Sequence, residues 1–211
     1  ASDCPLAIIS GRDLEDVRAR VSVEHAIYAG SHGFDIAGPN GLAKRPDQAT
    51  DFFQSINEAA EDLRAAIKDI KGAEIEHKTF AIAVHYRQVA ASDVMPLEVA
   101  VDSVINQFEK LRKTRGKKVF QIQPKANWDK GYAIAWLLAE TQLGQDGRLP
   151  IYIGDDLTDE DAFSALPPDG VSIAVRGDDR PTLADFTLQD PDDVRRFLSW
   201  LKNNNTVRTY L

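Results

Sequence analysis

Leu149-Pro150-Ile151-Tyr152-Ile153-Gly154-Asp155-Asp156-Leu157-Thr158-Asp159-Glu160-Asp161 is the stretch that decides the fold. Leu149–Gly154 is a near-continuous apolar run, the pattern of a strand covered on both faces in a parallel sheet. Two adjacent carboxylates stand where that strand ends, and a helix is predicted from Asp159 to Leu166. Open α/β sheets place their ligands at the carboxyl ends of the strands. Neighbouring carboxylates that are desolvated repel each other unless a cation or protons intervene. Mg²⁺ suits such a place, because it keeps several waters and takes only one or two protein carboxylates. Glu160 and Asp161 have a plainer reading, as charges capping a helix N-terminus.

Outward from this stretch, the same alternation of strand and helix recurs at both ends of the chain. Towards the C-terminus it predicts a strand at Val171–Val175, a short strand at Phe186–Leu188 and a helix at Val194–Leu201, with Asn203-Asn204-Asn205 frayed. Upstream, a helix is predicted from Lys130 to Leu143. Near the start, Leu6–Ile9 reads as a strand, followed by a short helix through Leu14, Val17 and Val21 and another strand at Ala26–Ala29. Between Ile36 and Pro46, Gly38, Pro39, Gly41 and Pro46 mark a boundary.

The middle of the chain has another texture. Phe52, Phe53, Ile56, Ala60, Leu63, Ile67 and Ile70 recur at three- and four-residue steps, predicting one long amphipathic helix stopped by Lys71-Gly72. Strands are predicted at Glu74–Thr79 and Phe80–Arg87, a helix at Pro96–Arg112 with Val99, Val104, Ile105, Phe108 and Leu111 inward, and a strand at Lys117–Gln123. The chain is therefore expected to be an α/β protein. Its parallel core would comprise residues 1–42 and 124–211, with an α+β unit at 43–123 inserted between them.

Further residues suggest chemistry. Ser10-Gly11-Arg12 places a hydroxyl and a glycine between a strand end and a helix, suited to a phosphate oxygen; it is equally an ordinary turn, with Asp13 as a helix cap. Lys130 opens a helix, where a cation opposes the macrodipole; a phosphate, or the carboxylates of Asp155 and Asp156, would explain it, and a solvated lysine is the plainer reading. Strand periodicity puts Glu74, Glu76 and Lys78 on one face, able to grip sugar hydroxyls or to form a surface ion pair. Gln121 and Gln123 share a face by the same rule. His32 and His85 lack metal-ligand spacing.

Taken together, these segments resemble the trehalose-6-phosphate phosphatases of the haloacid dehalogenase superfamily. The resemblance is carried by Ile9-Ser10-Gly11-Arg12, Ala29-Gly30-Ser31-His32-Gly33-Phe34-Asp35-Ile36, Glu76-His77-Lys78, His85-Tyr86-Arg87, Trp128-Asp129-Lys130-Gly131 and Gly154-Asp155-Asp156-Leu157-Thr158-Asp159-Glu160-Asp161-Ala162-Phe163. Thr182, Asp185-Phe186, Val194 and Phe197-Leu198 continue it. It implies a Rossmann-like core with a mobile cap. Lys130 and Ser10 would hold the phosphate. Ser10, Gly11, Arg12, Ser31, His32, Glu76, Lys78 and Gln121 would line the substrate site. Mg²⁺ would be held by Asp155 and Asp156 with support from Asp159. The reaction implied is carboxylate attack on phosphorus, an aspartyl-phosphate intermediate and hydrolysis, in trehalose biosynthesis.

Two features depart from the family pattern. The family's Asp-x-Asp-Gly-Thr motif, which carries its nucleophile and its acid/base on the first core strand, occurs nowhere in the 211 residues. The first core strand is thus expected to be missing, by truncation rather than evolved loss, and the 211 residues are expected to be inactive alone. Gln121 stands where the family usually carries a glutamate, and Gln123 where an arginine is common. An amide bonds hydroxyls without the charge assistance of a carboxylate. Phosphatase action on another sugar phosphate, such as sucrose phosphate, and non-catalytic sugar-phosphate sensing therefore stand as alternatives.

Composition bounds these readings. Lys and Arg number 25 against 33 Asp and Glu, a formal net charge of −8, which gives no general attraction for nucleic acid or an anionic membrane. Between Asp155 and Asp193 stand twelve acidic and two basic residues, so that segment carries the negative balance. Hydrophobic residues at 43% and charged residues at 27% match ordinary globular usage. No run approaches the roughly 20 apolar residues of a spanning helix. Cys4 is the only cysteine, which excludes an internal disulfide framework and fits a reducing, cytoplasmic setting. A small sugar phosphate is the expected partner, and nothing in the chain points to a protein partner.

Overall fold

Parallel pairing occurs at both ends of the chain and antiparallel pairing in its middle. The computed structural model describes residues 4–126, 128–141 and 148–204. The chain divides into two compact units, Ala1–Trp128 and Asp129–Leu211.

The first unit opens with β1 (Ala7–Ile9), α1 (Leu14–Val21) and β2 (Ile27–Gly30), a right place for a parallel β1–β2 pair because a helix connects them. Helix α1 buries Leu14 and Val17 and ends at Ser22, whose φ of 50° is left-handed. The expected boundary segment contains two short strands instead, β3 (Asp35–Ala37) and β4 (Ala43–Lys44), which extend the sheet antiparallel in the order β1-β2-β3-β4. Strands of three and two residues among glycines and prolines are too short to show periodicity.

The rest of this unit is α2 (Ala49–Ile67), β5 (Glu74–His77), β6 (Ile82–His85), α3 (Ala91–Ile105), β7 (Leu111–Gly116) and β8 (Val119–Pro124). The four strands form an antiparallel sheet, β5-β6-β8-β7. Its register sets Ile75 against Val84 and Val84 against Phe120, and Ile82 against Ile122, so one face is apolar. That face packs with Ile56, Ala60 and Leu63 of α2 and Leu97 and Val101 of α3, all fully buried. Each large apolar side chain so buried contributes about 1.5–3 kcal/mol. Helix α3 begins five residues before Pro96 and stops at Ile105, so Leu111 opens β7 rather than closing the helix. Val99, expected inward, is 63% exposed.

An aromatic group joins this block to the first sheet within the unit. Phe34 lies 6.2 Å from Phe52, 5.8 Å from Phe80 and 6.1 Å from Trp128, and the Trp128 indole donates to the Gly33 carbonyl at 2.7 Å.

The second unit contains α4 (Lys130–Glu140), β9 (Ile151–Gly154), α5 (Asp159–Ala165), β10 (Val171–Val175), β11 (Phe186–Leu188) and α6 (Pro191–Asn204). The strands form a parallel sheet in the order β11-β10-β9. The expected end of α4 at Leu143 lies outside the described residues, as does Asn205; Asn203 and Asn204 belong to α6. Among the described residues no helix is long and apolar enough to cross a membrane.

Candidate functional site

In the second unit the sequence-predicted residues converge at the carboxyl end of β9. Helix α4 is capped by Asp129, whose carboxylate accepts from the Tyr132 N–H at 2.9 Å. Its first residue, Lys130, is only 6% exposed, so it is not a solvated lysine. Its partner is neither Asp155 nor Asp156: Nζ donates to Asp159 Oδ1 at 2.7 Å. Asp159, 3% exposed, also accepts from the Tyr152 hydroxyl on Oδ1 at 2.5 Å. Its Oδ2 accepts from the backbone N–H groups of Asp155 and Asp156 at 3.1 and 2.9 Å.

This carboxylate therefore shapes the loop as well as balancing Lys130. It lies so close to Gly154 that a Cβ there would come within 2.4 Å of Asp159 Cγ, which only glycine avoids. Burial pushes the acidity of Asp159 the other way, but the bonds from Lys130, Tyr152 and the Asp156 backbone outweigh it and hold the carboxyl below its ordinary value. Burial, with the Asp159 charge adding to it, raises the Tyr152 phenol far above its usual range.

Asp155 and Asp156 differ from expectation in one respect: both are exposed rather than desolvated. Asp156 accepts from the Leu157 N–H at 2.7 Å, whereas no protein donor among the described residues meets the Asp155 carboxylate. With Glu160 and Arg176 they line a small cavity of about 50 Å³. Among the described residues no group of three or more His, Cys, Asp or Glu side chains converges as a metal cage. A Mg²⁺ ion does not require one, since one or two carboxylates, waters and a substrate phosphate complete its shell. Asp155, aided by Asp156, fits that demand; Asp159 fits a supporting place because its oxygens already serve four donors. Glu160 is not simply a helix-terminal charge: it accepts from the Thr182 hydroxyl at 2.7 Å and the Leu183 N–H at 2.6 Å, fastening that segment to α5.

The first unit brings together the other predicted segments. Ser10 follows β1, and its Oγ accepts from the Arg12 N–H at 3.2 Å. Ser31 and His32, with φ of 50° and 58°, fold back so that the Ser31 N–H donates to the Arg12 carbonyl and the His32 N–H to that of Ser10. The His32 ring covers Gly11 so closely that a Cβ there would lie 2.6 Å from Cε1. Arg12 is turned to its own helix, pairing with Asp16 at 2.8 Å. Asp13 occupies the N-cap position of α1 but makes no side-chain cap bond. Its carboxylate instead accepts from Ser31 Oγ at 2.9 Å, and from the Thr79 N–H and hydroxyl at 2.9 and 3.1 Å. Thr79 follows Lys78, so the turn after β5 is held at the Ser10–Asp13 loop.

Glu76, Ala83, Gln121 and Thr114 form one cross-strand row on the polar face of the antiparallel sheet. Glu76 bonds His85 at 3.1 Å and faces Lys78 at 3.6 Å. The His85 contact holds the Glu76 carboxyl below its ordinary value. Gln123, its amide oriented to accept, takes two bonds of 3.1 Å from Arg112. Sequence reasoning missed Tyr152 and the real task of Asp13. Tyr152 shares a strand face with Gly154, a signal available from period two, but its partner lies across a loop.

Comparison with known proteins adds the family. An "uncharacterized glycosyl hydrolase" of Mycobacterium tuberculosis is 48% identical over 207 residues, covering 95% of this chain and 16% of that protein. A trehalose-phosphate phosphatase of the same organism is 41% identical over 201 residues, covering 93% of this chain and 51% of that protein. The chain thus spans about half, or less, of the length of these curated relatives. A crystal structure of a trehalose-6-phosphate phosphatase related protein superposes with a TM-score of 0.79 at 24% identity, covering 96% of this chain and 82% of that one, which shows a shared fold. The trehalose-phosphatase family model matches residues 1–192. On that match, and on the 41% and 48% identities, the chain belongs to the trehalose-phosphatase family.

Proposed function

We propose that this chain supplies the phosphate- and metal-binding parts of a Mg²⁺-dependent phosphatase that hydrolyses trehalose 6-phosphate to trehalose and phosphate. The observation that carries the reading is the buried Lys130–Asp159 pair beside the exposed Asp155 at the end of a parallel strand. Lys130, with Ser10, binds and orients the phosphoryl group. Asp159 fixes the lysine and the 155–156 backbone. Asp155 and Asp156 would hold Mg²⁺, which when bound adds positive charge near the transferring phosphoryl group. Glu76, Lys78 and Gln121 contact sugar hydroxyls from the polar face of residues 43–123, assigned here as the cap domain, with residues 1–42 and 124–211 assigned as the core. The Arg12 N–H meets the Ser10 hydroxyl, and Gly11, Arg12, Ser31 and His32 would line the substrate site with it.

The nucleophile is an aspartate of an Asp-x-Asp-Gly-Thr motif outside these 211 residues. Its oxygen displaces the sugar oxygen from phosphorus, the second aspartate of the motif protonates the leaving sugar, and water then releases phosphate. Among the described residues β1 pairs with β2 and β9 with β10, and each is an edge of its own sheet.

The test compares the intact natural protein with the 211 residues alone. The intact protein should release phosphate from trehalose 6-phosphate, lose activity on chelation of Mg²⁺ and lose it again in Asp155→Ala. The 211 residues should bind orthophosphate without turnover. Turnover by the isolated 211 residues would refute the placement of the nucleophile. Because Gln121 replaces a carboxylate, a second reading assigns another sugar phosphate; faster release from a different substrate in a sugar-phosphate panel would select it. Saturable binding with no turnover by the intact protein would make the domain a sensor.

A further inference from the structure

We propose that Tyr152 is a positioning residue for the phosphate-binding lysine, acting through Asp159. The inference rests on the reading of Lys130 as a phosphate ligand, and it adds a residue that no motif singled out. Tyr152 and Gly154 are two apart on β9 and share the face against which Asp159 lies. The absence of a side chain at Gly154 lets the Asp159 carboxylate approach the strand, and the Tyr152 hydroxyl meets it there at 2.5 Å. The ring itself is fixed by an edge contact with Phe163, 5.7 Å between centroids at 74°.

The division of donors between the two Asp159 oxygens is what gives the phenol a task. Oδ2 is occupied by two backbone N–H groups, which set the 155–156 turn. Oδ1 is shared by the Tyr152 hydroxyl and the Lys130 ammonium. A carboxylate oxygen that serves two donors binds each less strongly than one that serves a single donor. The phenol thus takes up part of the negative charge that would otherwise be spent on Lys130. The ammonium has three donors and uses one on Asp159, leaving two and an incompletely cancelled charge for an external anion. Without the hydroxyl, the ammonium is drawn onto Oδ1 as its only donor and offers less to phosphate.

The test is Tyr152→Phe in the intact protein, which keeps the ring and its contact with Phe163. Calorimetry measures the affinities for orthophosphate with Mg²⁺ present and for Mg²⁺ alone, and thermal unfolding controls for stability; Lys130→Met is the reference. Orthophosphate affinity is expected to fall about tenfold in Tyr152→Phe, the scale of one charge-assisted hydrogen bond. The Mg²⁺ affinity is expected to hold, since the bonds to Oδ2 remain. Equal losses of both affinities together with a lowered melting temperature would make the phenol merely structural and overturn the inference. So would unchanged phosphate affinity in Tyr152→Phe while Lys130→Met abolishes binding. If the wild-type protein does not bind orthophosphate, or Lys130→Met binds it as well as wild type, the reading of Lys130 fails first and this inference with it.

Discussion

Removing the two ends of the Lys130–Asp159 pair should have unequal consequences. Breaking a buried ion pair by deleting one partner costs about 3–5 kcal/mol, because the other charge is left buried. In Lys130→Met the remaining charge is Asp159, which still accepts from the Tyr152 hydroxyl and two backbone N–H groups. Three donors solvate a carboxylate well, so the cost should lie at the lower end, about 3 kcal/mol. In Asp159→Ala the remaining charge is the Lys130 ammonium, 6% exposed and stripped of its partner. The same substitution releases Tyr152 and unties the 155–156 turn, so the total should exceed about 5 kcal/mol. That approaches the entire stability of an ordinary domain, about 5–15 kcal/mol.

The assay is thermal and urea unfolding followed by circular dichroism. At about 2–4 °C per kcal/mol for a chain of this size, Lys130→Met should melt about 6–12 °C below wild type and remain folded at 25 °C. Asp159→Ala should be largely unfolded or lack a cooperative transition. Equal losses for both variants, or a greater loss for Lys130→Met, would refute the argument that Asp159 is the hub and Lys130 one of its donors.

Three further outcomes follow from the same geometry. Because the folded-state acidity of Asp159 is stronger than its ordinary 3.8, its stabilisation is full above that pH and is lost as pH falls below it; the melting-temperature gap between wild type and Asp159→Asn should therefore narrow on acidification from pH 6 to about pH 3. Thr79→Val removes one hydroxyl bond to Asp13 but keeps the N–H bond, costing about 1 kcal/mol, whereas Asp13→Ala orphans Ser31 and both Thr79 donors and should cost about 2–3 kcal/mol in urea unfolding. Gly154→Ala should unfold at lower urea than wild type by about 1–3 kcal/mol, since the new methyl meets Asp159; an unchanged midpoint would contradict that close approach.

The long-range design of the site was less legible in the sequence than its parts. Periodicity located β10 and the buried stripe of α2 through burial of their own apolar residues, although Phe53 of that stripe is exposed, and it located β9 and β11 although neither strand is buried. It failed at β7 (Leu111–Gly116), whose Leu111 and Arg112 read as the end of a helix and whose remaining residues read as no element. There the sheet-facing positions after Leu111 are basic: Lys113 lies 4.9 Å from the Phe120 ring centre and pairs with Glu98 and Asp102, while Arg115 also pairs with Glu98. Edge strands commonly carry such charges, which conceals them from a hydrophobicity pattern. The start of α3 was misplaced because Pro96, a common first helical residue, sits one turn inside. The functions of Asp13 and Asp159 depend on Thr79 and Lys130, 66 and 29 residues away, and no local pattern encodes such partners.

The acidic segment 155–193 shows what the unevenness of charge is for. Most of its carboxylates that have partners act as local acceptors for the backbone. Asp185 takes the Ser172 N–H and hydroxyl at 3.0 and 2.7 Å, Glu160 takes the Leu183 N–H, Asp193 takes the Gln189 N–H at 3.0 Å, and Asp190 takes the Asp193 N–H at 2.9 Å. Loops between parallel strands expose N–H groups that no ladder satisfies, and ionised carboxylates are their strongest side-chain acceptors. Such acceptors can remain near solvent; of these four, Asp193 also pairs with Arg196. Asp159 alone among the segment's carboxylates is buried, and it is the one that takes a lysine. Asp155 belongs to neither class: it is exposed, stands at the end of β9, and meets no donor among the described residues. The proposed Mg²⁺ site rests on that difference, because a carboxylate at the end of a parallel strand that meets no donor among the described residues keeps its oxygens for an external partner.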